Sequence, residues 1–339
     1  QSKGLRRRYK FILASNRDEW MERPSAPMHF WKDEGQSDVL AGRDLKAGGT
    51  WLGVNRFGKF AVVTNSLSSW DDLVNLVGGK RSLIGLAATT VTALTGGIAA
   101  ALGASRRGQT IRFLGLLCAG ATLLVARRSK LRSRGELVAG YLEGEQSAEA
   151  YCRSMSKDLG QYSGFSLLVG DSHGVWMLTN RYVAPVMDLP AGLYGLGNAS
   201  LDTPWGKMLH GKSCMMDALL KVNHDLGLSE DKLVSLLMDV LEDEKHCPSS
   251  FSRRFTWIGR LLSPSKLVGG SSQERVCIPP TLLPTSYWSL LWGLVRGGKG
   301  TWQHYGTRTS TVILVDACGR TKVVERNRHV GRTQELVDG

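Results

Sequence analysis

The sequence lacks the cysteine and histidine spacings that hold metal ions or dense disulfide frameworks. Its six cysteines include no C-x-x-C pair, and its seven histidines show neither H-x-x-x-H nor H-x-x-E-H spacing. Because zinc sites and disulfide-rich scaffolds depend on such spacings, we predict no metal-binding residues and a reducing compartment. His210 and Cys214 lie four residues apart on one predicted helical face, and we interpret them as packing residues. No cofactor is evident.

Signal-peptide features are also absent. Residues 1–10 contain five basic residues and no apolar segment before the first predicted strand. The sequence does not begin with Met, which indicates a fragment or a trimmed gene product. We expect a cytoplasmic protein.

Acidic residues are missing from residues 76–134, which carry ten of the positive charges behind the net charge of +13. A basic chain of this kind raises nucleic acid as a partner. These charges flank apolar runs, however, and lack the interleaved aromatic residues of a base-stacking surface. We therefore expect no nucleic-acid partner.

Two uncharged runs lie inside this basic region. Residues 83–104 form a run of 22 residues and residues 113–126 a run of 14, bracketed by arginine pairs at 106–107 and 127–128. The first is long enough to cross a bilayer, although four threonines and four glycines weaken its hydrophobicity. A membrane surface contacted through 80–134 is one interpretation, and a re-entrant or interfacial hairpin is another. A translated intron or an erroneous gene model is the third.

Hydrophobic periodicity predicts a strand and three hairpins. Residues 9–15 read as a buried strand that ends at the polar cluster Asn16-Arg17-Asp18-Glu19. Turn-forming residues separate the two strands of each hairpin. The predicted hairpins are 50–54 with 59–64, 164–170 with 174–180, and 311–316 with 321–325.

Between these hairpins the hydrophobic period becomes helical. Thr203-Pro204 predicts a capped helix through about residue 223, and Ser229 predicts the start of another. In the second helix Leu233, Leu237 and Leu241 recur at helical spacing and form an apolar face. Strands on both sides of a helical block indicate a mixed fold with antiparallel pairing.

Four segments of the sequence, in order, carry a family resemblance. They are F-I-L-A-S-N-R-D-E at 11–19 with Arg23-Pro24 and Phe30-Trp31; L-A-G-R-D-L at 40–45 with G-G-T-W-L-G at 48–53 and V-T-N at 63–65; G-L-G-N at 195–198 with T-P-W at 203–205; and Y-G-T-R-T-S-T at 305–311 with L-V-D at 314–316. A fifth segment, R-S-R-G-E-L-V at 132–138, adds to them. Together these segments resemble the NRDE family, the Transport and Golgi organization 2 homologs.

The resemblance implies an α+β fold similar to that of the N-terminal nucleophile (Ntn) hydrolases, an αββα sandwich of two antiparallel sheets. It predicts a single domain over residues 1–326 and a tail at 327–339. Segments at about 68–130 and 257–303 have no counterpart in the quoted motifs. We expect both to be poorly ordered insertions, because compact domains rarely carry such long structureless connections.

The resemblance also implies a pocket. Family members usually begin Met-Cys, and that Cys could act as a nucleophile with its own α-amine as base; the present sequence starts about ten residues later and lacks it. Asn65 and Asn198 would then donate to an oxyanion, and Asp18 would orient the amine. Arg17 and Arg308 would hold a carboxylate or phosphate, with Asn16 and Glu19 in the same ligand-binding group.

Structural alternatives exist for each of these residues. Arg17 with Asp18 or Glu19 could be a strand-end ion pair, and Arg43-Asp44 a surface pair. The two asparagines could cap turns. Gly48-Gly49 before Trp51 suits a turn and a packed ring.

Three functions remain open. The resemblance implies an accessory protein of Golgi organization and protein secretion that acts by binding, with a role in lipid or haem homeostasis, haem being a candidate cargo and a small molecule a candidate ligand. The alternative is an Ntn-type amide hydrolase, which would be inactive without its Cys. The second alternative is a membrane-associated adaptor acting through 80–134. Association with the Golgi or mitochondria stays open.

Overall fold

The computed structural model describes residues 8–31, 38–66, 131–182, 184–224, 228–245, 276–277, 281–284 and 302–328. These residues form two antiparallel sheets and four α-helices. The strands are β1 (Tyr9–Trp20), β2 (Ser25–Phe30), β3 (Val39–Asp44), β4 (Leu52–Asn55), β5 (Phe60–Asn65), β6 (Phe165–Gly170), β7 (Val175–Thr179), β8 (Val186–Asp188), β9 (Thr281–Pro284), β10 (Trp302–Asp316) and β11 (Thr321–Asn327). The helices are α1 (Gly135–Glu143), α2 (Ala148–Met155), α3 (Gly206–His224) and α4 (Glu230–Leu241).

The first sheet, which we call the terminal sheet, joins the two ends of the described chain. β1 pairs antiparallel with β10 from Tyr9 opposite Asp316 to Trp20 opposite Tyr305. β11 extends the sheet beyond β10, and β9 pairs with the first residues of β10. The turn into β11 requires a positive φ, which Gly319 adopts at 90° and which residues with a Cβ rarely adopt.

The second sheet, the meander sheet, runs β2 to β8 in chain order, each strand paired with the next. Three clusters of apolar residues hold the layers together. One lies between the two sheets and includes Phe11, Leu13, Leu52 and Phe60. The others place α1 and α2 on the outer face of the meander sheet, and α3 and α4 on the outer face of the terminal sheet.

The helix α4 begins where the sequence indicated. The Ser229 hydroxyl accepts a hydrogen bond from the Lys232 backbone N–H, and Glu230 and Asp231 lie in the first turn, where the helix dipole favours negative charge. Leu233, Leu237 and Leu241 are buried against the terminal sheet. The predicted apolar face is confirmed.

Several predictions about the elements are confirmed and others are wrong. The three hairpins form as predicted, and the mixed α and β fold with two antiparallel sheets is present. The polar cluster 16–19 does not end its strand, because β1 continues to Trp20 and pairs with β10 throughout. The helix α3 begins at Gly206, not at Thr203, whose hydroxyl donates to the Ser200 carbonyl outside the helix. The sequence patterns did not identify α1 or α2.

The described parts of the second predicted insertion belong to the fold. β9 and residues 302–303 pair within the terminal sheet, and Cys277 is fully buried. At these positions the segment is not looped out. The remainder of 257–303, all of 68–130 and most of the 327–339 tail lie outside the described residues.

Within the described ranges, every helix is too short or too polar to cross a bilayer. The segment 80–134, on which the membrane interpretation depends, falls outside these ranges except for residues 131–134. That interpretation stays a prediction.

Burial of α4 against the terminal sheet sets a stability prediction. We expect Leu237→Ala to lower the free energy of unfolding by about 2–5 kcal/mol, because its side chain is fully buried and its removal leaves a cavity. Urea denaturation would measure the change. Leu209→Ala is the control: Leu209 is 60% exposed on α3, so its replacement should change stability by less than about 0.5 kcal/mol. Equal effects of the two substitutions would contradict this packing.

Candidate functional site

The alternation of side chains along β1 divides the cluster Asn16 to Glu19 between two layers. Successive residues of a strand point to opposite faces of the sheet. Asn16 and Asp18 contact the layer of α3 and α4, whereas Arg17 lies against Trp51 of the meander sheet. The predicted cluster is therefore not one pocket.

Asn16 joins the terminal sheet to the helical layer. Its side-chain amide donates to the backbone carbonyls of Leu241 at 2.7 Å and Val276 at 3.0 Å. Its carbonyl oxygen accepts from the Ser310 hydroxyl at 2.8 Å. All these bonds are internal, so the structure assigns Asn16 a structural role rather than ligand binding.

Asp18 faces the start of α3. It accepts a hydrogen bond from the Thr307 hydroxyl at 2.7 Å, and Lys207 is the positive charge that acts on it most strongly. Burial raises the pKa of Asp18, although Lys207 and Thr307 act against this shift. Burial also lowers the pKa of Lys207, with Asp18 opposing it. Asp18 and Arg17 are adjacent in sequence but do not form the ion pair that was one alternative.

Arg17 occupies the space between the sheets. Its guanidinium carbon lies 4.0 Å from the centre of the Trp51 ring, a stacked cation–π arrangement. Burial lowers the pKa of Arg17 to about 10, so the group stays protonated at neutral pH. Its Nη1 atom is buried and has no hydrogen-bond partner among the described residues.

Glycines in the family motifs position the Trp51 ring. A Cβ at Gly42 would lie 2.5 Å from the Trp51 ring atoms, and one at Gly49 would lie 2.5 Å from the Gly135 backbone. Gly48 has φ of 80° in the turn that precedes the ring. The interpretation of Gly48-Gly49 as a turn before a packed ring is confirmed.

The carboxylates near Arg17 are already engaged. Both Nε and Nη2 of Arg23 donate to one Asp44 oxygen, at 3.1 and 2.7 Å, and Arg23 lies 3.7 Å from Glu19. Burial acts to raise the pKa of Asp44, but the hydrogen bonds and charge of Arg23, together with the backbone N–H groups of Ala47 and Lys46, outweigh it, and the pKa is lowered. Asp44 therefore pairs with Arg23 rather than with Arg43, whose guanidinium stacks on Trp31 at 4.1 Å.

Arg308 holds the turn between β1 and β2. It is 3% exposed, and its Nη1 atom donates to the backbone carbonyls of Trp20 and Arg23. Burial lowers its pKa. These bonds give the Arg308 guanidinium a structural role close to Arg17.

A buried acid lies across the same interlayer space. Glu325 on β11 is 1% exposed, and one of its oxygens accepts from the Met28 backbone N–H at 2.8 Å and from Asn327 at 2.9 Å. Its other oxygen has no partner among the described residues. Burial raises the pKa of Glu325 despite these bonds and the charge of Arg17.

The two predicted asparagines are at one end of the meander sheet. Asn65 is the last residue of β5 and is exposed. The Thr64 hydroxyl beside it donates to the Gly197 carbonyl at 3.1 Å, which brings the loop of Asn198 to the same strand end. The Val63 backbone N–H donates to the Trp51 carbonyl at 2.9 Å. This bond links the end of β5 to Trp51, the residue on which Arg17 stacks.

The described contacts therefore bring together part of the predicted set. Arg17, Glu19 and Arg308 lie close together between the two sheets, with Arg23 and Asp44 beside them, and we call these five residues the interlayer cluster. The end of β5 that carries Asn65 is connected to this cluster through Trp51. Asn16 and Asp18 lie on the other face of the terminal sheet. Sequence reasoning missed Arg23 and Asp44 as cluster members and also missed Glu325; the Arg23-Pro24 motif was a usable signal for the first.

A shallow, open cavity of about 490 Å³ lies at the other end of β1, lined in part by Tyr9, Asp231 and Lys322. Its charges pair with one another. Lys322 lies 2.6 Å from Asp231, and Arg320 lies 3.2 Å from Asp316. These pairs make the cavity a weaker ligand site than the interlayer cluster.

Comparison with known proteins connects these motifs to one family. The family model described as "Transport and Golgi organisation 2" matches residues 2–77 and 118–330. The chain belongs to this family.

Named relatives are similar over most of their length. A Mus musculus protein named "Transport and Golgi organization 2 homolog" is 30% identical over 327 residues, covering 94% of this chain and 87% of the relative. Proteins from Bos taurus and Homo sapiens, each named "Transport and Golgi organization protein 2 homolog", are 29% and 28% identical over the same coverage. The family assignment made from the four motifs is thus confirmed, while the Ntn-hydrolase likeness stays a prediction.

The role of Asn16 in this family member can be tested by stability. We expect Asn16→Ala to lower the free energy of unfolding by about 2–4 kcal/mol, because it leaves buried carbonyl and hydroxyl partners without their hydrogen bonds. Chemical denaturation would measure it. Asn65→Ala, at an exposed strand end, is the matched control and should shift stability by less than about 0.5 kcal/mol. If Asn16→Ala unfolds with the same free energy as the natural chain, the structural role is wrong and Asn16 is again a candidate for ligand binding.

Glu325 predicts a pH dependence of stability. The pKa of Glu325 is raised in the folded state, so the folded state binds this proton more tightly than the unfolded state. The free energy of unfolding therefore falls as the pH rises from the unfolded pKa, about 4.3, through the folded pKa. Glu325→Gln removes this ionisation. The stability of the variant relative to the natural chain should therefore increase with pH over that window.

Denaturation midpoints between pH 4 and pH 8 would test this dependence on Glu325. Glu149→Gln, on the exposed face of α2, serves as the surface control. A stability difference between the Glu325→Gln and natural chains that stays constant with pH would contradict the raised pKa.

Proposed function

We propose that this chain acts by binding a small anionic ligand at Arg17, in an accessory role in Golgi organization and protein secretion. The names of the relatives support the cellular part of this proposal. The observation that carries the molecular part is the buried Arg17 Nη1 atom, which lacks a hydrogen-bond partner among the described residues.

An unsatisfied buried guanidinium nitrogen is costly, and a carboxylate or phosphate is the group that best satisfies it. Arg17 is partly exposed, so a small ligand can reach it from solvent. Trp51 fixes the plane of the guanidinium from one side. Asp44 is hydrogen-bonded to Arg23, and Glu19 lies 3.7 Å from Arg23, so Arg17 shares the negative charge of both carboxylates with a second arginine.

Binding is favoured over turnover by the state of the buried thiols. Burial raises the pKa of Cys152 to about 12 and also raises the pKa of Cys277, which lies near Thr307 and Asp18. A nucleophilic cysteine requires the thiolate, which these surroundings disfavour. The family resemblance suggests haem or a lipid as the physiological cargo, and we include this cargo in the proposal.

The experiment is calorimetric titration of the purified chain with inorganic phosphate and, separately, with butyrate. The natural chain should bind one of the two, which identifies the anion class. Arg17→Gln should weaken that binding at least about 10-fold, since hydrogen bonds to a charged group contribute about 1.5–3 kcal/mol. The stability of the unliganded variant should not fall, because a buried charge has been removed.

Arg43→Gln is the matched control, because Arg43 stacks on a tryptophan with nearly the same geometry, 4.1 Å against 4.0 Å for Arg17. It should bind the anion as the natural chain does. Absence of binding in the natural chain for both anions, or equal binding by Arg17→Gln, would overturn the proposal. Release of amine from a fluorogenic short-chain acyl amide would contradict the binding-only part.

A further inference from the structure

Three side chains with metal-ligating atoms meet between α3 and the end of α4. His210 Nε2 lies 2.7 Å from Asp243 Oδ2, and Cys214 Sγ lies 3.6 Å from the same nitrogen. One ligand atom from each residue falls within 4.8 Å of the other two. Sequence spacing did not reveal this group, because Asp243 is distant in sequence from the other two.

Local structure brings the three together. His210 and Cys214 are four residues apart on α3, so their side chains project from the same helical face. Asp243 follows α4, and its backbone carbonyl accepts from the Cys277 N–H at 2.9 Å. The Lys245 N–H donates to Asp243 Oδ1 at 2.7 Å, which turns Oδ2 towards His210. Such a hydrogen bond is how proteins orient carboxylate ligands.

The spacing fits a tetrahedral zinc ion. Zinc–nitrogen and zinc–sulfur bonds of about 2.1 and 2.3 Å at the tetrahedral angle place the two ligand atoms about 3.6 Å apart. The observed Sγ to Nε2 distance is 3.6 Å. The same reasoning gives about 3.3 Å between nitrogen and oxygen, so the present 2.7 Å hydrogen bond must open by roughly half an ångström.

We propose that His210, Cys214 and Asp243 bind one Zn²⁺ ion, with water in the fourth position. Thiolate and imidazole ligands favour zinc over magnesium or calcium, which prefer oxygen ligands. The site is open to solvent: the side chains of His210 and Asp243 are 20% and 29% exposed. Zinc binding displaces two protons: the thiol proton of Cys214, which passes to solvent, and the Nε2 proton that His210 donates to Asp243. A neutral imidazole then carries its remaining proton on Nδ1, and an imidazolium loses its Nε2 proton to solvent. Zinc affinity therefore rises with pH.

The bound ion would join α3 to the residue that follows α4. These two helices form the layer that covers the terminal sheet. Because zinc binds the folded state, it should raise the midpoint of thermal unfolding. This inference does not depend on anion binding at Arg17, and Arg17→Gln should retain zinc binding.

The first test uses Co²⁺ on the natural chain after removal of metals with a chelator. Tetrahedral coordination with one thiolate should give visible d–d bands and a near-ultraviolet sulfur-to-cobalt band, and added Zn²⁺ should abolish both. A Co²⁺ complex without the sulfur band, or no complex at micromolar metal, would overturn the proposal.

The second test uses variants and competition with a chromogenic chelator. Cys214→Ser and Asp243→Asn should each weaken zinc binding at least about 100-fold, since even partners that only orient a ligand contribute 10- to 100-fold. Cys318→Ser, at an exposed cysteine outside the site, is the control and should bind as the natural chain does. Far-ultraviolet circular dichroism without metal would show that the variants fold. Zinc binding unchanged in Cys214→Ser would overturn the proposal.

Discussion

Opposite-facing side chains along a single strand, β1, support both faces of the terminal sheet. Ile12 and Ala14 pack under α3 and α4, whereas Phe11 and Leu13 pack against the meander sheet. The same alternation continues into the polar half of the strand. It sends Asn16 and Asp18 to the helical layer and Arg17 to the interlayer space. The division of the site is therefore a consequence of strand geometry and follows the division of the core.

Several of the motif residues build this arrangement. Gly42 and Gly49 allow close approaches that a Cβ would prevent, Gly42 to the Trp51 ring and Gly49 to the Gly135 backbone. Arg23 holds Asp44, and Arg308 holds the turn between β1 and β2. Arg17 has a buried donor, Nη1, without a hydrogen-bond partner among the described residues. A motif shared by a family can thus surround one functional side chain with several structural ones.

Local patterns in the sequence predicted those elements whose causes are local. Two of the three predicted hairpin turns contain a glycine with positive φ, Gly58 and Gly319, and α4 has its own capping serine and apolar face. The end of β1 was not predictable in this way, because polar residues remain in a strand only when distant groups satisfy them. Asn16 bonds to Leu241 and Val276, which no local pattern could reveal. The meeting of His210 with Asp243 depends on the packing of α3 against α4 and is equally non-local.

The pairing of β1 with β10 also constrains the order of synthesis and folding. β1 is made long before its partner, residues 302–316, because nearly 300 residues separate them in sequence. At roughly 5–20 residues per second, β1 waits on the order of 15–60 seconds for that partner. During this interval its apolar residues and unpaired backbone are exposed, a state that invites aggregation. The nascent chain should therefore depend on a chaperone that shields β1 until β10 has been made.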